Sequence, residues 1–191
     1  MAIKLIVGLG NPGPQYERTR HNAGAWFVQA LADTHRIGLS LDQKAKALVA
    51  RATLYDHDMR FCIPITFMNL SGHSVAYVAK FFKFAPDEIL VAHDELDLPV
   101  GSVRLKLDGG HGGHNGLLDI AAQLGTKAFY RLRIGIGRPL LKEDVTDYVL
   151  HAPTKGEHQN IMDAIQKALN VLPDIVSGQT SKAMNTLHTN A

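Results

Sequence analysis

The sequence predicts an α/β domain built on a mixed sheet. Three observations carry that expectation. Short apolar runs of strand length alternate with longer stretches whose apolar residues recur at helical spacing. Several of those runs end in polar, glycine-containing loops. No repeat, low-complexity tract or linker divides the 191 residues, so a single domain spanning residues 1–191 is expected.

The first apolar run, residues 3–9, reads as a buried strand that opens into a glycine-rich turn carrying Asn11. His21 and Asn22 follow, then a helix over 25–37 with Phe27, Val28, Leu31 and Ala32 on one face and Gly38 at its end. Residues 47–55 and 59–65 read as two strands of a hairpin turning at Asp56-His57-Asp58. Ser71 is expected to cap a helix carrying Val75, Val78, Ala79 and Phe82 on its inner face, broken by Pro86. The run 88–92 is the next buried strand and leads into His93-Asp94-Glu95. Residues 102–107 alternate as a short strand, and 109–116 form a glycine loop opening a helix with Leu117, Leu118, Ala121 and Leu124 inward. Residues 130–137 are a further strand. Residues 138–154 are irregular around a short 145–150 segment, 155–176 form the last helix, and the tail from Ser177 is polar.

Composition narrows the function classes. Apolar residues make up 46% and charged residues 20%, as in ordinary globular domains. No run approaches the roughly 18 apolar residues of a membrane span. The N-terminus passes straight into a strand, leaving no room for a signal peptide, so a cytoplasmic protein is expected. Cys62, the one cysteine, excludes an internal disulfide framework and a cysteine zinc cluster, and its apolar strand makes it a buried spectator. A net charge of +2 is too mild to identify a nucleic-acid binder by itself.

Candidate chemistry lies at strand ends. Asn11, Asn69 and Asp94 each follow an apolar strand, and parallel strands would bring them to one edge of the sheet, where open α/β sheets bind ligands. His21 and Asn115 lie in loops within reach of that edge. A His–Asp pair supplies a general base, the carboxylate fixing the imidazole tautomer. With no nucleophile beside it, the base would activate water. Asparagine amides both donate and accept, which suits gripping a peptide backbone. Each residue also reads blandly, as a turn, cap or solvated loop residue; the joint placement makes the case. Arg104 and Lys106 share one strand face, as do Arg131 and Arg133, giving either a solvated face or a phosphate-reading patch.

Two rival readings arise from the same residues. The motif at 8–13 fits G-x-G-x-x-G, but Pro12 and Pro14 lack the N–H groups a pyrophosphate needs, and the acidic residue at the right distance, Asp33, falls inside a helix pattern. A nucleotide-cofactor oxidoreductase would leave His21, Asn69 and Asp94 without a role. A non-catalytic RNA-binding module would use the four strand cations and be indifferent to loss of His21. His111 and His114, three apart in a glycine loop, make a poor zinc signature.

The motifs G-L-G-N-P-G at 8–13, T-R-H-N-A-G at 19–24, T-F-M-N-L-S-G at 66–72, H-D-E-L-D at 93–97, G-G-H-G-G-H-N-G at 109–116 and R-L-R-I-G-I-G at 131–137 occur in this order. Together they resemble bacterial-type peptidyl-tRNA hydrolase over essentially the whole chain. The resemblance implies a mixed twisted sheet surrounded by helices, a monomer without metal or cofactor, and hydrolysis of the ester joining a peptide to the 3′ end of tRNA, which recycles tRNA from translation. It implies His21 as general base, Asp94 as the residue keeping it competent, and Asn11 and Asn69 as further catalytic positions. Tyr16, Phe67, Met68, Asn69, His114 and Asn115 would contact the peptide and the CCA end. Arg104, Lys106 and Arg133 would hold acceptor-stem phosphates, and 138–151 with the last helix would form a variable flap to which no roles attach.

Overall fold

The computed structural model describes residues 2–189; Met1 and the last two residues of the expected polar tail lie outside it. One seven-stranded sheet organises the chain, with strand order β2-β3-β4-β1-β5-β7-β6. The central strand β1 (Leu5–Gly8) runs parallel to both its neighbours, β4 (His57–Pro64) and β5 (Ile89–Glu95). Beyond β5 lies β7 (Tyr130–Gly135), again parallel, and then β6 (Val103–Leu107), antiparallel at the edge. On the other side β4 pairs antiparallel with β3 (Ala47–Leu54), and β3 with β2 (Ser40–Asp42). The expected mixed sheet is therefore present, with its parallel part at the centre.

Helices cover both faces, as the near-continuous apolar character of β1 and β5 requires. On one face, α1 (Ala23–His35), α5 (Lys155–Val176) and α6 (Thr180–Thr189) enclose a core including Ile6, Phe27, Leu90, Leu132, Ile134 and Ile165. On the other, α2 (Ser71–Phe82) and α3 (Asn115–Leu124) close over Leu5, Val7, Val91, Val75 and Ile120. The short α4 (Val145–Val149) joins the first of these cores through Val149. No helix among the described residues is long and apolar enough to cross a membrane.

Several local expectations need correction. The hairpin turns at Tyr55-Asp56, both with positive φ, as a two-residue turn requires. α1 ends on Arg36 and α2 on Lys83, each left-handed, before Gly38 and Pro86 are reached. Ser71 is the first residue of α2, bonding back to the Met68 carbonyl instead of capping the helix. Phe82 and Leu118 face outward, because the buried stripes run through Val75, Val78 and Ala79 and through Leu117 and Ile120. The polar tail forms α6, anchored by Ala183 and Leu187. α1 crosses β1 and β5 at backbone distance: a Cβ on Gly24 would stand 2.1 Å from the Ala92 carbonyl oxygen.

Candidate active site

Because β4, β1 and β5 are adjacent and parallel, their carboxyl ends open onto one cleft. The cleft has a volume of about 290 Å³ and is lined by Asn11, His21, Phe67, Met68, Asn69, Asp94, His114 and Asn115, with one further wall from α4. Tyr16 stands at the rim, its ring edge-on to Phe67 at 6.2 Å.

Asp94 is the centre of the cleft floor. It lies within β5, not in a loop beyond it, because pairing with Ile134 of β7 carries the strand past His93. Its side chain is 2% exposed and accepts two hydrogen bonds, from His21 Nδ1 at 2.9 Å and from His114 Nε2 at 2.8 Å. Burial pushes its carboxyl up, but the two imidazoles outweigh burial and hold it well below the usual carboxylate range.

The two histidines are not equivalent. His114 is the N-cap of α3, and its Nδ1 accepts from the Gly116 and Leu117 amides at 3.1 and 3.3 Å. That lone pair is committed to the helix, so the ring proton sits on Nε2 and is donated to Asp94. His21 lies on a single helical turn before α1 and donates from Nδ1, which leaves Nε2 as its free nitrogen. Burial lowers the His21 pKa, yet the Asp94 charge and hydrogen bond more than reverse it and leave it raised. Beneath them His93 is buried, donates from Nδ1 to the Asp94 carbonyl at 2.8 Å, and supports the His114 ring edge-on at 5.1 Å. Burial and the neighbouring His114 push it down to about 3, so it stays uncharged.

The glycine turn serves Asn11. Asn22 bonds the Asn11 backbone on both sides, its Oδ1 accepting from the amide at 2.9 Å and its Nδ2 donating to the carbonyl at 3.0 Å. Asn11 Oδ1 in turn accepts from the Met68 amide at 2.7 Å, which joins the β1 and β4 loops and leaves the Asn11 NH₂ group as its unused donor. Asn69 and Asn115 are exposed and both line the cleft, Asn69 on the packed Met68–Leu70 turn and Asn115 as the first residue of α3. Sequence reasoning passed over Asn22, Arg20 and the α4 wall of Val145, Thr146, Val149 and Leu150; only the adjacency of Arg20 and Asn22 to His21 marked them.

Beyond the cleft, β6 and β7 bring the four strand cations onto one face, Arg104 opposite Arg133 and Lys106 opposite Arg131. They are unequal. Lys106 is exposed, Arg133 is paired with Glu95 at 2.8 Å, and Arg131 is buried, its guanidinium bonded to the Gly110 carbonyl. The Cys62 thiol, fully buried, is pushed up to about 12, mainly by burial.

Among the described residues one group gathers three metal-ligating side chains, His21, Asp94 and His114, with donor atoms within 4.8 Å of one another. Protons already bridge both histidines to the carboxylate, and the His114 lone pair is spent on α3. The three side chains form one hydrogen-bonded set centred on Asp94. His111, the other member of the poor zinc signature, accepts from the Gly113 amide.

Residues 5–191 match the family model described as peptidyl-tRNA hydrolase. The chain is 52% identical over 188 residues to a peptidyl-tRNA hydrolase of Legionella pneumophila (strain Paris), covering 98% of this chain and all of that protein. It is 56% identical over 187 residues to that of Shewanella loihica, covering 97% of this chain and 96% of the relative. A crystal structure of peptidyl-tRNA hydrolase from Acinetobacter baumannii superposes with a TM-score of 0.94 at 49% identity, covering 97% of this chain and 94% of that one.

Proposed function

The chain belongs to the peptidyl-tRNA hydrolase family and hydrolyses the ester bond of peptidyl-tRNA; from that premise we propose that His21 activates the attacking water. The observation that carries this assignment is the asymmetric bridge at Asp94. His114 is locked as a donor by the α3 amides, so the carboxylate holds the His21 proton on Nδ1 and leaves Nε2 basic.

Water adds to the ester carbonyl carbon as Nε2 takes its proton, and the carbonyl oxygen becomes an oxyanion. The tetrahedral intermediate collapses by breaking the bond to the ribose oxygen, which receives the proton back from the imidazolium. Asp94 stabilises the imidazolium without itself being protonated, in keeping with its depressed pKa. The Asn11 NH₂ group, held by its carboxamide oxygen on Met68, is the donor assigned to the developing oxyanion and the peptide carbonyl. Asn69 and Asn115 grip peptide backbone and terminal adenosine, without reading side chains. Phe67, Met68 and Tyr16 supply apolar surface beside them. The CCA end enters the cleft while acceptor-stem phosphates meet Lys106 first, then Arg133 and Arg104. The protein works as a monomer in the cytoplasm.

Cleavage of one tRNA carrying either an N-acetylated or a free amino acid tests this reading. Wild type releases tRNA only from the N-blocked ester, and Asn11→Ala narrows the difference. Equal cleavage of both esters by wild type contradicts the assignment.

A further inference from the structure

Arg20 precedes the proposed base and is almost wholly buried, at 8% exposure. A guanidinium taken out of water is tolerated only where its donors are met. Here the two terminal nitrogens converge on one place, while the buried Nε has no partner among the described residues. Nη1 donates to the Tyr148 carbonyl at 2.9 Å and to the His151 carbonyl at 3.4 Å, and Nη2 donates to Glu157 Oε1 at 3.2 Å. The guanidinium carbon lies 3.9 Å from the centroid of the Tyr148 ring, and the Arg20 amide bonds the His151 carbonyl at 3.1 Å. Tyr148 and His151 flank the end of α4. Glu157 is in the first turn of α5, where the same Oε1 also accepts from the Thr154 amide.

α4 depends on such contacts. Five residues cannot hold a helix by propensity, and Val149 is its one buried side chain. Yet α4 forms the cleft wall facing His21. We propose that Arg20 is a positioning residue: by fastening the end of α4 and the start of α5 to the loop that carries His21, it sets the width of the substrate cleft. The loop then spans both walls, with Tyr16 against Phe67 on one side and Arg20 against α4 on the other. The catalytic consequence rests on the proposed role of His21. The guanidinium makes no contact with the His21–Asp94 pair, so its loss acts on substrate fit and leaves the base alone.

Amide hydrogen exchange of the free protein and steady-state kinetics on peptidyl-tRNA test this together, with Arg20→Gln, Arg20→Lys, Glu157→Gln and the neighbouring Arg18→Gln as comparison. Arg20→Gln is expected to speed exchange of residues 145–151 by about tenfold, with the central strands unchanged. KM rises by about tenfold, while kcat and the acid limb of its pH profile stay as in wild type. Lysine, lacking the planar fork, falls between, and Arg18→Gln behaves as wild type. Unchanged exchange at 145–151 overturns the proposal, as does acceleration spread evenly over the chain. A fall in kcat with a displaced acid limb also overturns it, because Arg20 would then act on His21 directly. Should Arg20→Gln not fold, Arg20→Lys and Glu157→Gln decide by the same criteria. If wild type cleaves no peptidyl-tRNA, the His21 assignment fails, and the exchange comparison still decides whether Arg20 holds α4.

Discussion

Replacing Asp94 by asparagine turns the hydrogen-bond logic of the site into a quantity. The amide keeps the shape but offers one acceptor and one donor in place of two acceptors. One histidine must therefore face an N–H₂ group with a lone pair. His114 can do so only by moving its proton to Nδ1, which would oppose the Gly116 and Leu117 amides it now accepts from. Two buried donors left unmet cost about 1–3 kcal/mol each. His21 has no such commitment, so the asparagine oxygen turns to His114 and its NH₂ group to His21. His21 then carries its proton on Nε2, the nitrogen that should receive one from water. A base locked in the wrong tautomer loses on the order of 10⁴ in turnover, about 5.5 kcal/mol of barrier. Single-turnover ester cleavage reads the loss, and filter binding shows tRNA affinity close to wild type. The residual acid limb moves below the ordinary histidine pKa of 6.5, since burial stays while the charge that raised His21 is gone. Turnover within tenfold of wild type, or an unmoved limb, refutes the tautomer argument.

Three further outcomes follow from the same structure. In wild type, kcat/KM falls with decreasing pH through an apparent pKa above 6.5, because the Asp94 contact raises His21 and only its neutral form accepts a proton; a pH–rate profile with its limb below 6.5 contradicts this. Lys106→Gln weakens tRNA binding and reduces the slope of log K against log salt by about one, with the chemical step unchanged; an unaltered slope removes Lys106 from the phosphate contacts. Gly24→Ala forces α1 off β5 and destabilises the fold by about 1–3 kcal/mol in urea titration. An unchanged midpoint would mean that the 2.1 Å approach to the Ala92 carbonyl is relieved without cost.

The sheet was legible because its central strands are buried on both faces and read as unbroken apolar runs, and because their polar ends pointed to one edge. Asn11, Asn69 and Asp94 meet there once β4, β1 and β5 prove parallel neighbours. What the sequence could not carry is set by long-range pairing. The three-residue β2 exists through its ladder to β3, and α6 through two apolar anchors in an otherwise polar stretch. The second histidine on Asp94 was equally hidden. His114 sits in a glycine loop that the family resemblance assigned to substrate contact, and only the position of α3 makes it a donor to the carboxylate. The cation patch was read correctly as alternation within each strand. That Arg131 is spent on Gly110 and Arg133 on Glu95 needed the neighbouring loop and strand.

The most direct test is single-turnover release of tRNA from N-acetyl-aminoacyl-tRNA by wild type and His21→Ala, each with and without EDTA. Wild type is expected to cleave rapidly, untouched by chelation, and the substitution to abolish cleavage while tRNA still binds. Cleavage surviving in His21→Ala would assign the base to another residue, and loss of wild-type activity on chelation would replace the Asp94 relay with a metal at the same three side chains.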